Sequence, residues 1–233
     1  DLCTVEEAED FLNKVPEQQP FMATSCCPAW SVMAKKLFPD FKPYISMALT
    51  PMVLTGRLIK KQKPDAKVVF IGPCAAKKLE ASRKSVRSDI DFVLTFEEVM
   101  GMFEAKGIVL EQAMVDEPFA EGTANGRGFA VSGGVANAVK QCIQKEHPDK
   151  EVLIDSAEGL KNCKTMLMMA KAGKRNGYLL EGMACPGGCV AGAGTLQPVM
   201  KSSALVKKYT NEAEKKLAFE SEYLENLALI TKE

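Results

Sequence analysis

The sequence has no apolar run of the ~18–20 residues that a spanning helix needs, and no basic-then-apolar leader. Neither a membrane span nor a secretory signal is expected within it. Charge of one sign is not in excess either: 30 basic residues face 30 acidic ones. Without a global field to draw them in, nucleic acid and an anionic membrane rank low as partners. The Walker pattern and the dinucleotide fingerprint are absent, as is the local ferredoxin run of three cysteines at two-residue gaps. There is no internal repeat, low-complexity segment or convincing linker. What remains is an ordinary globular composition, 46% hydrophobic and 26% charged over 233 residues, enough for one large domain or two fused lobes. An intracellular setting is the simplest expectation. The start at Asp1 instead of methionine leads to the expectation that a signal or a whole segment precedes it.

Against these absences stand eight cysteines: Cys3, Cys26, Cys27, Cys74, Cys142, Cys163, Cys185 and Cys189. In a reducing compartment they are thiols or metal ligands. The stretch from Met183 to Gly194 sets Cys185 and Cys189 four apart among glycines and alanines, so the backbone can lie directly against something large. One tight cysteine pair with scattered partners points to metal binding or redox chemistry.

The elements around these thiols follow from spacing. Thr4-Val5-Glu6-Glu7 is a capping-box pattern, and Val5, Ala8, Phe11, Leu12 and Val15 predict an amphipathic helix ending near Pro16. After a polar turn, Pro28 suits the first turn of a helix that runs through Met33, Ala34 and Leu37. Cys26 and Cys27 then sit at a positive helix N-terminus, which is expected to lower their thiol pKa. Thr50 is expected to cap a helix with the basic tail Lys60-Lys61-Gln62-Lys63. The apolar run Lys67–Ile71 reads as a buried strand and stops at Gly72-Pro73-Cys74; Ala75–Arg83 reads as a helix with Lys77 and Glu80 on one face. Asp91–Thr95 is a second strand, and Thr95-Phe96-Glu97-Glu98 opens a helix to Lys106-Gly107. This alternation argues for an α/β architecture. Residues from Ala120 to Gly134 are the loosest stretch, ahead of a helix Val135–Glu146; a phosphate site there ranks low. Glu151–Asp155 reads as a strand, Ala157–Ala172 as a helix with Met166, Met168 and Met169 as core filler, and Tyr178–Glu181 as the strand feeding the Met183–Gly194 loop. From Ser203 two polar helices are expected to Glu233, with Leu205, Val206 and Tyr209 on one face and Leu224, Leu227 and Ile230 on another.

Cys27, Cys74, Cys185 and Cys189 make four candidate thiolates, the number a cubane iron-sulfur cluster takes, and Cys27 and Cys185 are each followed by proline. Zinc and buried or redox thiols remain as rivals, although structural zinc sites usually bring paired short spacings. Cys3, Cys142 and Cys163 read as buried small hydrophobes. Taken alone, Lys77 with Glu80 reads as a surface helix pair, and His147 as a solvated helix end.

Three segments together resemble the signature loops of the iron-only (FeFe) hydrogenases: Thr24-Ser25-Cys26-Cys27-Pro28-Ala29-Trp30, Pro73-Cys74-Ala75-Ala76-Lys77-Lys78-Leu79-Glu80, and Met183-Ala184-Cys185-Pro186-Gly187-Gly188-Cys189. They stand in the family's order and at similar separations. Weaker similarity runs from Asp1-Leu2 through Val131-Ser132-Gly133-Gly134-Val135 to Ala204–Tyr209. The resemblance implies a two-lobed α/β fold with small mixed sheets flanked by helices and a cluster between the lobes. It implies that residues 1–233 form one H-cluster domain lacking an N-terminal part. The H-cluster is a 4Fe-4S cubane bridged through a cysteine sulfur to a di-iron unit with CO, CN and a dithiolate bridge.

On this resemblance Cys27, Cys74, Cys185 and Cys189 fall on the cubane ligand positions, with Cys189 bridging. Cys26 falls on the proton-passing thiol, Lys77 on the residue that holds a cyanide, Glu80 on its ion-pair partner and Met183 on a pocket-lining methionine. Glu7, Ser46 and an acid near Asp10 fall near the outward proton path. The implied partners are ferredoxin or another iron-sulfur electron carrier, di-iron maturation proteins, and a second chain or preceding segment completing the site; the implied setting is the cytoplasm of an anaerobic microbe. Gly72 stands where methionine is usual, Trp30 follows Ala29 where glycine is common, and the third loop ends Gly-Ala-Gly instead of three glycines. These departures resemble sensory branches, so a hydrogen or redox sensor is an alternative. A relative of the hydrogenase-like iron-sulfur assembly factors, without the di-iron unit, is another. Cys26 together with Lys77 argues against the latter, since both serve the di-iron part.

Overall fold

The computed structural model describes residues 1–113 and 121–230. Ala120, where the loose stretch was expected to begin, and Glu233 lie outside the described residues. Asp1 caps α1 (Leu2–Lys14), which buries Cys3, Val5, Ala8 and Phe11 along one stripe. The helix starts ahead of the expected box at Thr4, so Thr4 and Glu7 lie inside it and face the core. The box therefore does not form, and Thr4 Oγ1 is buried without a hydrogen-bond partner. Next come β1 (Met22–Ala23), too short to carry a sequence period, and α2 (Pro28–Leu37), opened by Pro28 as expected. Thr50 precedes α3 (Pro51–Gln62), but its hydroxyl makes no cap bond.

The chain continues through β2 (Val69–Ile71), α4 (Ala76–Ala81), β3 (Phe92–Leu94) and α5 (Phe96–Ala105). Here the capping box does form: Glu98 N donates to Thr95 Oγ1 at 3.2 Å and Thr95 N to Glu98 Oε2 at 2.7 Å. After α6 (Ala124–Arg127) and α7 (Gly134–Glu146), β4 (Leu153–Glu158) runs past the expected helix start at Ala157. Gly159 then turns the chain at φ +76°, and α8 (Leu160–Lys171), β5 (Tyr178–Met183) and α9 (Val199–Asn211) follow. In place of a second polar helix there are two short 3₁₀ turns, Ala218–Glu220 and Leu224–Leu229. They follow the contour of the core: Ala218 is buried in it, its amide bonded to Asn125 Oδ1 at 3.0 Å. Among the described residues no helix is long and apolar enough to cross a membrane.

The α/β class with small sheets holds, but both sheets are parallel, not mixed. One has the order β1-β5-β4 and the other pairs β2 with β3. The direction follows from the connections, since α8 joins β4 to β5 and α4 lies between β2 and β3, and a helical crossover returns a strand parallel.

In the three-stranded sheet, neighbours Leu179 and Leu180 point to opposite faces. Leu179 meets Val5, Phe11, Val139 and Ile143 of α1 and α7; Leu180 meets Trp30, Ala34 and Leu167 of α2 and α8. Each such burial stabilises the lobe by ~1.5–3 kcal/mol. The second lobe has one core, with Met52, Val53, Val86 and Ile90 packed on Val68 and Val93. The other face of β2 and β3 is open: Val69 is 44%, Ile71 50% and Phe92 61% exposed. The expectation of a buried strand at Lys67–Ile71 is thus corrected to one buried on a single face. Cys3, Cys142, Cys163 and Met166 are buried as expected, whereas Met168 is exposed.

Candidate metal centre

The candidate thiols collect where strands end. Cys26 and Cys27 follow β1, Cys74 follows β2, and Cys185 and Cys189 follow β5, the edge at which open parallel sheets receive ligands. Backbone contacts fix the three loops. Thr24 N donates to Leu180 O at 2.9 Å, the Trp30 indole Nε1 to Thr24 O at 3.0 Å, and Gly194 N to Pro73 O at 2.9 Å. The small residues of the Met183–Gly194 loop therefore have protein neighbours. A Cβ on Gly192 would stand 2.4 Å from Pro73 O, and one on Gly188, at φ +92°, 2.6 Å from Ser132 N. Close backbone packing is enough to require both glycines.

The four thiols feel one another. Burial first, then Cys27, Cys74 and Cys185, push the Cys189 thiol up to about 12; burial, then Cys27 and Cys74, raise Cys185. Thiolates so placed repel unless a cation sits among them, and a coordinating metal reverses that balance. Among the described residues no three His, Cys, Asp or Glu side chains close around a point as a single ion would need. Four half-buried sulfurs from three loops, coupled yet spread, fit a multi-iron body better than one zinc.

Cys26 departs from expectation. Its thiol is pushed well above the usual range, first by burial and then by Glu7, Glu181, Cys189 and Cys27. Cys27, not Cys26, caps α2, and desolvation beside several acidic groups outweighs a helix-end effect of ~0.3–1 kcal/mol. Glu7 is buried, and its carboxyl is pushed up to about 8 by burial, opposed by a hydrogen bond from Ser46. Ser46 N donates to Ala23 O at 2.7 Å, tying that hydroxyl to the end of β1. Glu7 Oε1 and Asp10 Oδ2 have no hydrogen-bond partner, while Asp10 Oδ1 lies 2.6 Å from Lys14 Nζ.

Lys77 and Glu80 are both buried, so the surface-pair reading is corrected. Lys77 Nζ donates to Glu80 Oε2 at 2.7 Å and approaches Cys26 O at 3.4 Å. A buried pair must offset the loss of water around both charges, and each partner depends on the other. Met183 is buried at the end of β5, its carbonyl accepting from Gly159 N at 2.8 Å. At Gly72 a Cβ would lie 2.9 Å from the Phe70 ring, so that ring occupies the space beside the missing side chain.

Sequence reasoning missed Glu181. It is fully buried on β5, and its carboxylate accepts from Gly133 N and Ala136 N, each at 2.7 Å, at the start of α7. Burial raises its pKa while these bonds oppose the rise. The available signal was a glutamate in a strand with apolar neighbours on both sides. Because Glu181 takes these amides, they are not free for a phosphate at the glycine-rich segment.

A family profile described as "Iron only hydrogenase large subunit, C-terminal domain" matches residues 1–193. The chain is 31% identical to the periplasmic [Fe] hydrogenase large subunit of Nitratidesulfovibrio vulgaris, over 86% of this chain and 58% of that protein. It is 27% identical to the cytosolic Fe-S cluster assembly factor narfl of Danio rerio, over 83% of this chain and 60% of that one. It thus spans little more than half the length of these relatives. The structure of apo [FeFe]-hydrogenase HydA1 from Chlamydomonas reinhardtii, variant C377H, superposes with a TM-score of 0.73 at 23% identity, covering 97% of this chain and 76% of that one. That likeness establishes the fold.

Proposed function

The chain belongs to the iron-only hydrogenase large-subunit family, and on that premise we propose that residues 1–233 are an H-cluster domain that interconverts protons, electrons and dihydrogen. Cys27, Cys74, Cys185 and Cys189 would hold the 4Fe-4S cubane, with Cys189 bridging to a di-iron unit. Once bound, that group supplies the metal site and the electrons for proton reduction or its reverse. A ferredoxin-type carrier would exchange the electrons, and di-iron maturation proteins would deliver the second unit.

The chain's own groups have defined tasks in this reading. Lys77, held by Glu80, presents an ammonium inside a dry pocket, where a charge-assisted hydrogen bond to a cyanide is strong. Cys26 Sγ keeps its proton near neutral pH because burial disfavours the thiolate. Glu7, with its carboxyl at about 8, both takes and gives a proton near neutrality, and the Ser46 hydroxyl orients it. Met183 closes the pocket on the β5 side.

The observation that carries this reading is the buried Lys77–Glu80 pair reaching the Cys26 carbonyl. A cubane alone needs neither a buried ammonium nor a second thiol beside Cys27, which weighs against the assembly-factor reading. The sensor reading shares every residue and is separated from an enzyme by turnover.

The test is anaerobic reconstitution of the cubane, then of a synthetic di-iron complex, followed by infrared spectroscopy. Protein-bound carbonyl and cyanide bands are expected, and their absence overturns the proposal. Cys26→Ala is expected to abolish hydrogen turnover with cubane absorbance unchanged. Activity equal to the parent's would refute the relay.

A further inference from the structure

Beside the candidate centre, a cavity of ≈ 220 Å³ opens between α2, α4 and the loop before α3. Its lining includes the hydroxyl residues Ser31, Thr50 and Ser85 and the cations Lys35 and Arg83. The two cations are close enough that the Arg83 charge adds to burial in lowering the Lys35 pKa, and Lys42 contributes in the same sense. Among the described residues neither side chain has a hydrogen-bond or ion-pair partner. The acid in the lining, Glu80, is already committed to Lys77 at 2.7 Å. Thr50 Oγ1, buried at the same cavity, has no partner and makes no helix cap.

Two like charges lining one hollow without a free counter-charge repel, and a buried hydroxyl without a partner is costly. Both defects vanish together if a small anion with several acceptor oxygens occupies the hollow. Arg offers a planar fork, Lys a point charge and the hydroxyl a short donor, which is the donor set that a tetrahedral oxyanion takes. We propose that this cavity is an oxyanion site that takes inorganic phosphate or a group of the same chemistry, held by Lys35, Arg83 and Thr50. The site also borders Ser46 and Glu80, so its occupant would lie beside the Glu7 and Lys77 partners. It does not depend on a cluster being present.

The experiment uses the chain without reconstituted metal, titrated with inorganic phosphate at constant ionic strength set by sodium chloride, and followed by calorimetry and thermal melting. Saturable binding and a rise in Tm are expected. The double variant Lys35→Gln with Arg83→Gln is expected to bind at least tenfold more weakly and, without phosphate, to melt no lower than the parent, since a repulsion has been removed. Thr50→Val is expected to weaken binding several-fold. Should the double variant fail to fold, Arg83→Gln alone carries the same tenfold criterion. No phosphate binding, a Tm rise matched by chloride alone, or unchanged affinity in the Arg83 variant overturns the proposal.

Discussion

The two lobes handle apolar surface and charge in opposite ways. In the first, β5 is buried on both faces between α1 and α7 on one side and α2 and α8 on the other. In the second, β2 and β3 are covered on one face, with Val69, Ile71 and Phe92 open on the other. The most buried carboxyls follow the same division. Among the described residues the first lobe buries Glu7 and Glu181 without a cation in contact, while its less buried acids Asp10 and Asp155 pair with Lys14 and Arg175, each at 2.6 Å. The second pairs its acids: Asp89 with Arg57 at 2.9 Å, Asp91 with Lys60 at 2.7 Å and Glu80 with Lys77 at 2.7 Å. The electrostatic result is a Glu7 carboxyl at about 8 and an Asp91 carboxyl at about 2, the latter held down first by the Lys60 bond and then by the Val68 amide. The first lobe thus buries carboxyls whose pKa is raised, and the second brings Lys77, held by Glu80, to within 3.4 Å of the Cys26 carbonyl.

This contrast is broken first by core truncation. Leu180→Ala is expected to cost ~2–5 kcal/mol, because the buried side chain leaves a cavity between β5, α2 and α8. Ile71→Ala, half-exposed in the other lobe, should stay within about 0.5 kcal/mol. Urea midpoints for the two variants measure the difference, and equal losses would remove the asymmetry.

Glu7 sharpens the electrostatic half. Its folded-state pKa is raised from 4.5 to about 8, so the folded chain binds the proton more tightly than the unfolded one. The stabilisation from the neutral acid is full below pH ~4.5 and is lost as pH rises through about 8. Glu7→Gln should therefore flatten the fall of Tm between those limits and stabilise the chain at pH 8 by a few kcal/mol at most, at up to ~1.4 kcal/mol per pH unit. Melting curves across that range test it, and a variant profile parallel to the parent's would contradict the assignment.

Close packing behind β5 comes third. A Cβ at Gly182 would stand 2.1 Å from the Trp30 ring, which is fully buried. Gly182→Ala should cost ~1–3 kcal/mol through overpacking. Adding Trp30→Leu should recover part of that loss, a coupling a double-mutant cycle would detect. Purely additive losses would mean that the ring moves aside freely.

How far the sequence foretold this structure depended on how local each signal was. Pro28 opening α2 and the Thr95–Glu98 box opening α5 were legible, because each acts within one turn. So was the placing of Cys74 and Cys185 after strands, since a short apolar run ending at proline or glycine marks such an edge. The pattern Thr4–Glu7 misled, because a capping box and an internal helical turn share the same spacing; Asp1 began the helix instead. Strand β1 was invisible at two residues, and the last expected helix became 3₁₀ turns because the core surface dictated its path. Glu181, Lys35 and Arg83 were passed over because their meaning lies in neighbours 45 or more residues away.

The smallest expected effect lies on the open face of the second lobe. Phe92 is 61% exposed and begins β3 beside Val69 of β2. Its ring therefore contributes little burial to this chain, and Phe92→Ser should change stability by no more than about 0.5 kcal/mol. Parallel sheets are ordinarily covered on both faces, so the same substitution in an assembly that covers this face would remove most of the ring's burial, ~1.5–3 kcal/mol. Comparing urea midpoints of parent and variant in solution, without first separating any assembly, distinguishes the two cases. A loss above ~1.5 kcal/mol would show that the face is covered in solution, and the asymmetry between the lobes would then belong to the isolated chain alone.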